Sequence, residues 1–287
     1  MGSTMINDIR ISYEDFQKFR EYFYHKTGIW FDESKRYFVD KRLVERIAAT
    51  GMCNFRSYFT MLRFQASGDE LQNLINSMTV NETYFFREEY QLKCLVKSVL
   101  PEITEKKFDN LPIRIWSIPS SSGEEPYSIA IYLLEYWEGI NHWDVEIISS
   151  DIDTNMLHCA RKGFYSHRSV QYLPAQILHK YFRNTDGGYQ ISEELRNVIE
   201  FTRVNLFDPT ETKSYRNFDI VFCRNLLIYF DDMSRRQAAE NLYDAMKPGG
   251  FIFLGHSESM SRISPLFKVR KFAEAVVYQK PYYKSEV

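Results

Sequence analysis

Apolar residues recur at helical spacing throughout the first quarter of the chain. Phe16, Phe19 and Phe23 fall on one face of a helix that we expect to begin near Ser12. The same spacing predicts further helices over 32–49, 54–65 and 69–77. No strand-like alternation interrupts them, so residues 5–78 are predicted to form an all-helical N-terminal domain.

The pattern changes after Leu111, where short apolar runs of strand length alternate with stretches of helical periodicity. The predicted strands are Ile113–Ser117, Val145–Ser150, Phe218–Cys223 and Phe251–Leu254. The predicted helices cover 125–138, 154–161 and 234–246. Strands that alternate with helices form a parallel sheet covered on both faces. The region Lys268–Gln279 would add an antiparallel hairpin at the edge of that sheet.

One segment breaks this alternation. Two short β-prone runs, Tyr189–Ser192 and Val198–Thr202, lie around the turn sequence Asp186-Gly187-Gly188. We interpret about 165–203 as a small antiparallel β-subdomain outside the main sheet. The fold class predicted for 112–287 is therefore α/β, a Rossmann-like domain that carries a β-subdomain.

The chain contains enough apolar residues to form a core, and its net charge is small. Of the 287 residues, 44% are hydrophobic, and 36 basic residues nearly balance 38 acidic ones. A near-neutral chain lacks the basic footprint of a nucleic-acid-binding protein. No apolar run approaches the ~18 residues of a membrane span, and no secretory apolar stretch stands near the start. We therefore expect no nucleic acid and no direct membrane insertion.

The four cysteines are Cys53, Cys94, Cys159 and Cys223, and they are scattered along the chain without a Cys-x-x-Cys pair. This spacing favours neither a zinc site nor a disulfide framework. We expect no metal, and a reducing cytoplasm as the compartment.

The loop after the first predicted strand is rich in small residues. It reads Ile118-Pro119-Ser120-Ser121-Ser122-Gly123-Glu124-Glu125-Pro126. Small residues let a backbone approach a ligand, and the N–H groups at the start of the next helix suit an anion. The loop matches neither a P-loop nor GxGxxG, which disfavours a dinucleotide. On its own, this stretch fits a flexible connection equally well.

Polar residues also follow the next strands. Asp151 ends the second strand, where a carboxylate would grip a ribose diol, whereas Asp153 is expected to cap the following helix. No Arg or Lys accompanies the loop, so a nucleoside fits better than a nucleotide. Asn205 would match the donor and the acceptor of an adenine edge, with Leu206 packed on the ring. The alternative is that Asn205 is a turn residue.

Six short motifs follow one another along the chain. They are Asn81-Glu82-Thr83-Tyr84-Phe85-Phe86-Arg87, Ser122-Gly123-Glu124-Glu125-Pro126-Tyr127-Ser128, Ser150-Asp151-Ile152-Asp153-Thr154, Val204-Asn205-Leu206, Phe222-Cys223-Arg224-Asn225 through Ile228-Tyr229-Phe230, and Gly255-His256-Ser257-Glu258. Each motif is weak alone, but together, in order and at matching intervals, they resemble the chemotaxis receptor methyltransferase (CheR) family over most of the chain.

The resemblance implies an all-helical N-terminal domain, a linker segment over 79–111 that closes over the cofactor, and a methyltransferase domain over 112–287. It implies transfer of a methyl group from S-adenosylmethionine to glutamate carboxylates of bacterial chemoreceptors, with S-adenosylhomocysteine as product. The residues that it places at the cofactor are Asn81, Thr83, Arg87, Gly123, Glu124, Asp151, Asn205, Leu206, Arg224 and Asn225.

The implied reaction needs no general base. A glutamate with an unperturbed pKa near ~4.3 is already ionised at neutral pH, so catalysis would hold donor and acceptor in line at roughly 3–3.5 Å. We expect Arg87 to offset charge and the Tyr229 hydroxyl to orient the incoming carboxylate, with a core position as the alternative for Tyr229. His256 is expected to be a hydrogen-bonded structural residue, and Phe85 and Phe86 to be packing residues.

We expect basic side chains of the N-terminal domain to bind the receptor. Lys35, Arg42 and Arg46 fall near one face of the second predicted helix, with Arg36 and Lys41 close by, and would meet a receptor surface rich in glutamates. A merely solvated helix face is the alternative. The turn over 184–188 looks shorter than in relatives that bind a receptor's C-terminal tail peptide. We therefore expect recognition of the receptor's cytoplasmic domain without that peptide.

Two other functions stay open at this point. One is a methyltransferase of the same fold acting on another acceptor. The other is a module that senses S-adenosylmethionine or S-adenosylhomocysteine without turnover, against which the linker motif and Arg224-Asn225 argue. A nucleic-acid methyltransferase is disfavoured because the chain lacks an Asn-Pro-Pro-Tyr type motif. We expect a monomer.

Overall fold

The computed structural model describes residues 9–107 and 111–282, and the chain divides into two compact units. The first unit holds the residues up to Val80 together with Tyr229–Asp231. The second holds Asn81–Ile228 and the residues from Asp232 onward. Among the described residues, no helix combines the length and the apolarity that crossing a bilayer requires.

The first unit is helical. Its helices are α1 (Tyr13–Thr27), α2 (Arg36–Ala49, preceded by a 3₁₀ turn over Glu33–Lys35), α3 (Phe55–Phe64) and α4 (Asp69–Met78). Ser12 and Asp15 form a capping box at the start of α1, which explains why the helix begins there. Phe16, Phe19 and Phe23 are fully buried. The predicted helices of this region are confirmed. Their ends differ by at most one residue, except that α2 begins four residues later than predicted, after the 3₁₀ turn.

The second unit is built on a sheet. Its strands in chain order are β1 (Ile113–Ser117), β2 (Val145–Asp151), β3 (Phe164–Tyr165), β4 (Phe182–Thr185), β5 (Gly188–Ile191), β6 (Ile199–Arg203), β7 (Phe218–Cys223), β8 (Met246–Leu254), β9 (Lys268–Lys271) and β10 (Val276–Gln279). Within the described ranges the main sheet has the order β6-β2-β1-β7-β8-β10-β9. The five strands β6, β2, β1, β7 and β8 are parallel to one another. β10 is antiparallel to both β8 and β9. The predicted parallel sheet and its antiparallel edge hairpin are confirmed.

Helices alternate with these strands along the chain. They are α5 (Glu89–Cys94, continued by a π-helical turn over Leu95–Val99), α6 (Leu100–Lys106), α7 (Glu124–Tyr136), α8 (Thr154–Lys162), α9 (His167–Val170), α10 (Ala175–Tyr181), α11 (Glu193–Asn197), α12 (Pro209–Thr212), α13 (Asp232–Ala245) and α14 (Met260–Ile263). β1 and β7 are the buried centre of the sheet, and every residue of β7 is buried.

The β-subdomain is smaller than predicted. β3, β5 and β4 form a separate antiparallel sheet among the described residues, and the Asp186-Gly187 turn joins β4 to β5. β6 instead pairs in parallel with β2. Ile199 and Phe201 alternate inward and are buried in the core of the main sheet. The prediction that Val198–Thr202 belongs to the β-subdomain is therefore wrong.

Candidate functional site

The order of the strands defines where a ligand can bind. The chain runs from β1 outward to β2 and β6, and then returns to place β7 on the other side of β1. In open α/β sheets, ligands bind beyond the carboxyl ends of the strands at such a reversal. Most of the predicted cofactor residues follow β1, β2, β6 or β7, so the fold brings their backbones to one edge of the sheet.

Asp151 connects the ends of β1 and β2. The Ser121 N–H donates to its Oδ2 at 2.7 Å, and the Asp153 N–H donates to its Oδ1 at 2.8 Å. The side chain is buried, and this burial raises the pKa of Asp151 to about 6. A carboxylate has further lone pairs, so the hydroxyls of a diol can still donate to it.

Asp153 caps α8, as predicted. Its Oδ1 accepts the backbone N–H groups of Asn155 and Met156 at 2.9 and 3.1 Å. Its Oδ2 also accepts a hydrogen bond from the Asn81 Nδ2 at 3.2 Å, and the Ser121 hydroxyl donates to the Asn81 Oδ1 at 3.3 Å. Asn81 therefore links the segment that precedes α5 to both loops at the sheet edge.

Gly123 and Glu124 begin α7. Gly123 has a φ of 97°, and a Cβ on it would lie 2.9 Å from the Ala160 Cβ, so a larger residue would not fit. Glu124 is buried and accepts a hydrogen bond from the Ser122 hydroxyl at 2.7 Å. Burial raises the pKa of Glu124. A desolvated carboxyl group of this kind is suited to pair with a cationic ligand group.

Arg224 is held by partners inside the second unit. Its Nη1 donates to the Glu125 Oε2 at 2.8 Å, and its Nη2 donates to the Arg87 carbonyl at 2.7 Å and lies 3.3 Å from the Glu88 Oε2. Only 3% of the side chain is exposed. Its Nε is buried and, among the described residues, has no hydrogen-bond partner, so a donor is left for a ligand. In this structure Arg224 ties the end of β7 to α7 and to the start of α5.

Glu88 also binds His256, the residue expected to be structural. The His256 Nδ1 lies 2.9 Å from the Glu88 Oε1, although the imidazole is exposed. Burial acts to raise the pKa of Glu88, but Arg224 and His256 outweigh it and lower that pKa overall. The contact is a hydrogen bond between surface and buried groups, in keeping with the expectation for His256.

Glu258 is a residue whose role the sequence did not reveal. Its Oε2 accepts the N–H groups of Asn225 and Gly255 at 2.7 and 2.8 Å, and its Oε1 accepts the Leu227 N–H at 2.8 Å. Asn225 has a φ of 58°, an uncommon conformation that these bonds stabilise. The motif that ends in Glu258 was visible, but its partners in the chain were not.

Asn205 adopts a turn. Its Oδ1 accepts the Phe207 N–H at 3.1 Å, and its own N–H donates to the Glu211 Oε2 at 2.7 Å. This is the geometry of the alternative considered for Asn205. Leu206 is also buried. Contact of either residue with an adenine stays a prediction.

The segment before α5 carries Thr83 and Arg87, which are half-buried. The guanidinium of Arg87 lies over the ring of Tyr84, 5.8 Å from its centroid. Phe85 and Phe86 are buried in aromatic clusters, as expected of packing residues.

Tyr229 belongs to the first compact unit rather than to the unit that holds the sheet edge. It is 38% exposed. The next residue, Phe230, forms a β-bridge with Ile29, and the Tyr24 hydroxyl donates to Asp231 at 3.1 Å. The catalytic role of Tyr229 stays a prediction.

The basic residues of α2 differ in how their charges are compensated. Lys35 is exposed. Arg36 lies 3.3 Å from Asp40, and Arg42 lies 2.9 Å from Glu45, both within the same helix. Partly exposed pairs of this kind are weak, so most of their charge remains available to a partner.

Arg46 has a different environment. Its Nε and Nη2 donate to the two carboxylate oxygens of Glu70 at 3.0 and 2.5 Å, and the Tyr58 hydroxyl donates to the same carboxylate at 2.8 Å. Glu70 is buried. Arg46 therefore joins α2 to α4, and its charge is neutralised inside the helical unit.

Within the described ranges, no group of three or more His, Cys, Asp or Glu side chains is placed to hold a metal ion. The four cysteines are all free thiols. Cys94 and Cys223 are buried, and Cys53 and Cys159 are exposed.

Family comparisons agree with this division of the chain. Residues 14–79 match the model described as "CheR methyltransferase, all-alpha domain". Residues 81–276 match the model described as "CheR methyltransferase, SAM binding domain".

Similar proteins cover nearly the whole chain. It is 55% identical to chemotaxis protein methyltransferase 2 of Vibrio cholerae, with 96% of each chain covered. It is 37% identical to chemotaxis protein methyltransferase 2 of Pseudomonas aeruginosa, with 89% of this chain and 90% of that one covered. For the chemotaxis protein methyltransferase of Escherichia coli the identity is 33%, with 93% and 91% covered. With a helical domain and a SAM-binding sheet in matching order, this chain belongs to the CheR methyltransferase family and is an S-adenosylmethionine-dependent methyltransferase.

Proposed function

We propose that this enzyme methylates glutamate side chains on the cytoplasmic domain of bacterial chemoreceptors and leaves glutamate methyl esters. The observation that carries the proposal is the buried Asp151, which ties together the loops after β1 and β2 at the edge of a sheet matching the family's SAM-binding domain. The names of the relatives place those proteins in chemotaxis.

The chemistry of the sheet edge fits the cofactor. Asp151 would accept the ribose hydroxyls, and the buried Glu124 would pair with the cationic amino group of the methionine portion. The Ser120 hydroxyl is buried and, among the described residues, has no hydrogen-bond partner, as expected of a group that a ligand satisfies. Asn205 and Leu206 would contact the adenine, and Asn81, Thr83 and Arg87 would close over the bound molecule.

The bound cofactor supplies a methyl group on a positively charged sulfur. A glutamate oxygen forms the new bond to the methyl carbon while the carbon–sulfur bond breaks and its electron pair stays on sulfur. No proton moves, so the protein's task is to bind, align and exclude water. Arg87 would guide the incoming carboxylate by its charge, and the Tyr229 hydroxyl would orient it.

We further propose that the exposed basic face of α2 docks the receptor body, without help from a receptor tail peptide. Lys35, Arg36 and Arg42 supply its charge. The two-residue turn between β4 and β5 supports independence from the tail, because it leaves little loop for a peptide to bind. Since the substrate is the receptor's cytoplasmic domain, we place the reaction in the cytoplasm, with a monomeric enzyme.

The test uses S-adenosylmethionine with an isotopically labelled methyl group and a chemoreceptor cytoplasmic fragment, with and without its C-terminal tail. Label should enter both fragments at similar rates and leave as methanol in mild alkali. A fragment with its exposed helical glutamates changed to glutamine is the control, since an amide is not an acceptor. Binding of S-adenosylmethionine without transfer would favour a sensor, and label on other proteins alone would favour another acceptor. Loss of transfer on removing the tail would overturn tail independence.

A further inference from the structure

Tyr165 connects the small antiparallel sheet to the loop after β1. It lies in β3 and is 2% exposed. Its hydroxyl donates to the carbonyl of Ser122 at 2.9 Å. Because the Tyr165 hydroxyl is buried and bonded to a main-chain acceptor, the two groups fix each other's position.

The loop that Tyr165 contacts has an uncommon backbone. Ser121 has a φ of 46° and Gly123 a φ of 97°. A serine keeps such a φ only where the surroundings hold it, whereas glycine adopts a positive φ readily. Asp151 holds the Ser121 N–H from one side, and the Tyr165 hydroxyl holds the Ser122 carbonyl. The loop is thus anchored at successive residues by two different parts of the fold.

The ring of Tyr165 also supports the segment before α5. Phe85 packs edge-on against it, with 4.8 Å between ring centroids, and edge-on against Phe182 of β4 at 5.1 Å. The Phe85 N–H donates to the Ser169 carbonyl at 2.9 Å. The small sheet and the residues near it therefore support both the loop after β1 and the segment that contains Asn81 and Arg87.

We propose that Tyr165 is a positioning residue for cofactor binding, and that the small sheet is a structural wall of the cofactor site. Its hydroxyl sets the position of the Ser121–Gly123 backbone, and the cofactor binds to the loop so placed. The inference rests on the proposed cofactor site at this sheet edge.

Tyr127 provides a matched control. It is fully buried, its ring centroid lies 6.4 Å from that of Tyr165, and its hydroxyl donates to the Ala160 carbonyl at 3.0 Å. Tyr165→Phe and Tyr127→Phe each remove one buried hydroxyl and leave a main-chain carbonyl without that donor. The two variants differ in which carbonyl is affected, that of the cofactor loop or that of α8.

Two measurements test the proposal on the full chain. Calorimetric binding should show that Tyr165→Phe raises the Kd for S-adenosylmethionine and S-adenosylhomocysteine about tenfold, as expected for the loss of one hydrogen bond that positions the loop. Tyr127→Phe should change the Kd by less than about twofold. The kcat at saturating cofactor should stay near the wild-type value. Hydrogen exchange at the Ser121 and Gly123 amides of the free protein should be faster in Tyr165→Phe than in Tyr127→Phe.

The outcomes distinguish a failure of the proposed cofactor site from a failure of the positioning role of Tyr165. If the wild-type protein does not bind S-adenosylmethionine, the proposed cofactor site fails, and the amide exchange still reports whether Tyr165 holds the loop. If the wild-type protein binds it and the two variants show the same Kd and the same exchange, the positioning role of Tyr165 is overturned. A drop in kcat with an unchanged Kd would also contradict it.

Discussion

At Asp151, burial and hydrogen bonding act on the carboxyl group in opposite directions. Burial raises its pKa to about 6, even though the N–H groups of Ser121 and Asp153 favour the ionised form. The group is therefore ionised at neutral pH and takes up a proton in mildly acidic solution. A buried carboxylate with this pKa at a ligand edge is a candidate binding group whose protonation can be followed.

We predict that cofactor affinity depends on the protonation of Asp151. Above about pH 7 the carboxylate can accept both ribose hydroxyls, so affinity should be constant. Below about pH 6 the proton must first be lost, and affinity should fall by up to about tenfold per pH unit. Binding measured from pH 5 to 8 checks this for the wild-type protein and for Asp151→Asn.

The asparagine variant separates the protein's titration from that of the cofactor. It should bind more weakly at pH 7.5, and its affinity should lack the decline that begins near pH 6. Parallel pH profiles for the two proteins would show that Asp151 is not the group that titrates on binding.

At the scale of the elements, Arg46, Glu70 and Tyr58 connect α2, α4 and α3. The carboxylate of Glu70 is 5% exposed and accepts from both partners. Breaking a buried ion pair by removing one partner leaves a charge without compensation. Arg42, on the same helix, pairs with Glu45, and both side chains are well exposed. Arg46 should therefore contribute more to the stability of the helical unit than Arg42, although both were predicted to dock the receptor.

We predict that Arg46→Met lowers the free energy of unfolding by about 3 kcal/mol, whereas Arg42→Met lowers it by less than about 1 kcal/mol. Urea denaturation of the full chain, followed by circular dichroism, checks both values. The double variant Arg46→Met/Glu70→Leu should recover much of the loss, because it removes the orphaned carboxylate as well. Equal effects of the two single changes would mean that the Glu70 network contributes no more than a surface pair.

At the scale of the whole molecule, a near-neutral chain is proposed to recognise an acidic receptor surface. Recognition must then depend on local charge, and Lys35 and Arg42 belong to the proposed docking face and lie outside the Glu70 network. Complementary charge chiefly raises the rate of association and is screened by salt. Arg46 is unsuited to test this idea, because reversing its charge would also disrupt the Glu70 pair.

We predict that Lys35→Glu/Arg42→Glu slows receptor methylation about tenfold at low ionic strength, because the reversed charges repel the acidic receptor surface. The Kd for S-adenosylmethionine should not change. The difference from wild type should shrink as salt is raised. Initial rates at several salt concentrations provide the measurement.

Lys97→Glu reverses an exposed charge outside the helical unit and serves as the control. It should methylate the receptor at close to the wild-type rate. Unchanged kinetics in the α2 variant, or an equal effect of Lys97→Glu, would exclude this face as the docking surface.

Much of the architecture could be predicted from local pattern. Helical spacing and a Ser–Asp cap located α1, and short apolar runs located β1 and β7 with their observed ends. The role of Asp153 as a helix cap followed from its position alone. The sequence did not predict that β6 belongs to the main sheet, because strands of a large and of a small sheet show the same alternation of apolar and polar residues.

The sequence by itself determined which segments are helices and strands, the order of these elements and the family, because periodicity, caps and motifs are properties of neighbouring residues. Only the tertiary structure decided the partners of individual side chains. Arg224 meets Glu125 and Glu88, Glu258 holds the turn after β7, and Tyr165 holds the Ser122 carbonyl. These contacts join residues far apart in the chain, and their geometry depends on how the sheet brings its loops together, which no local pattern encodes.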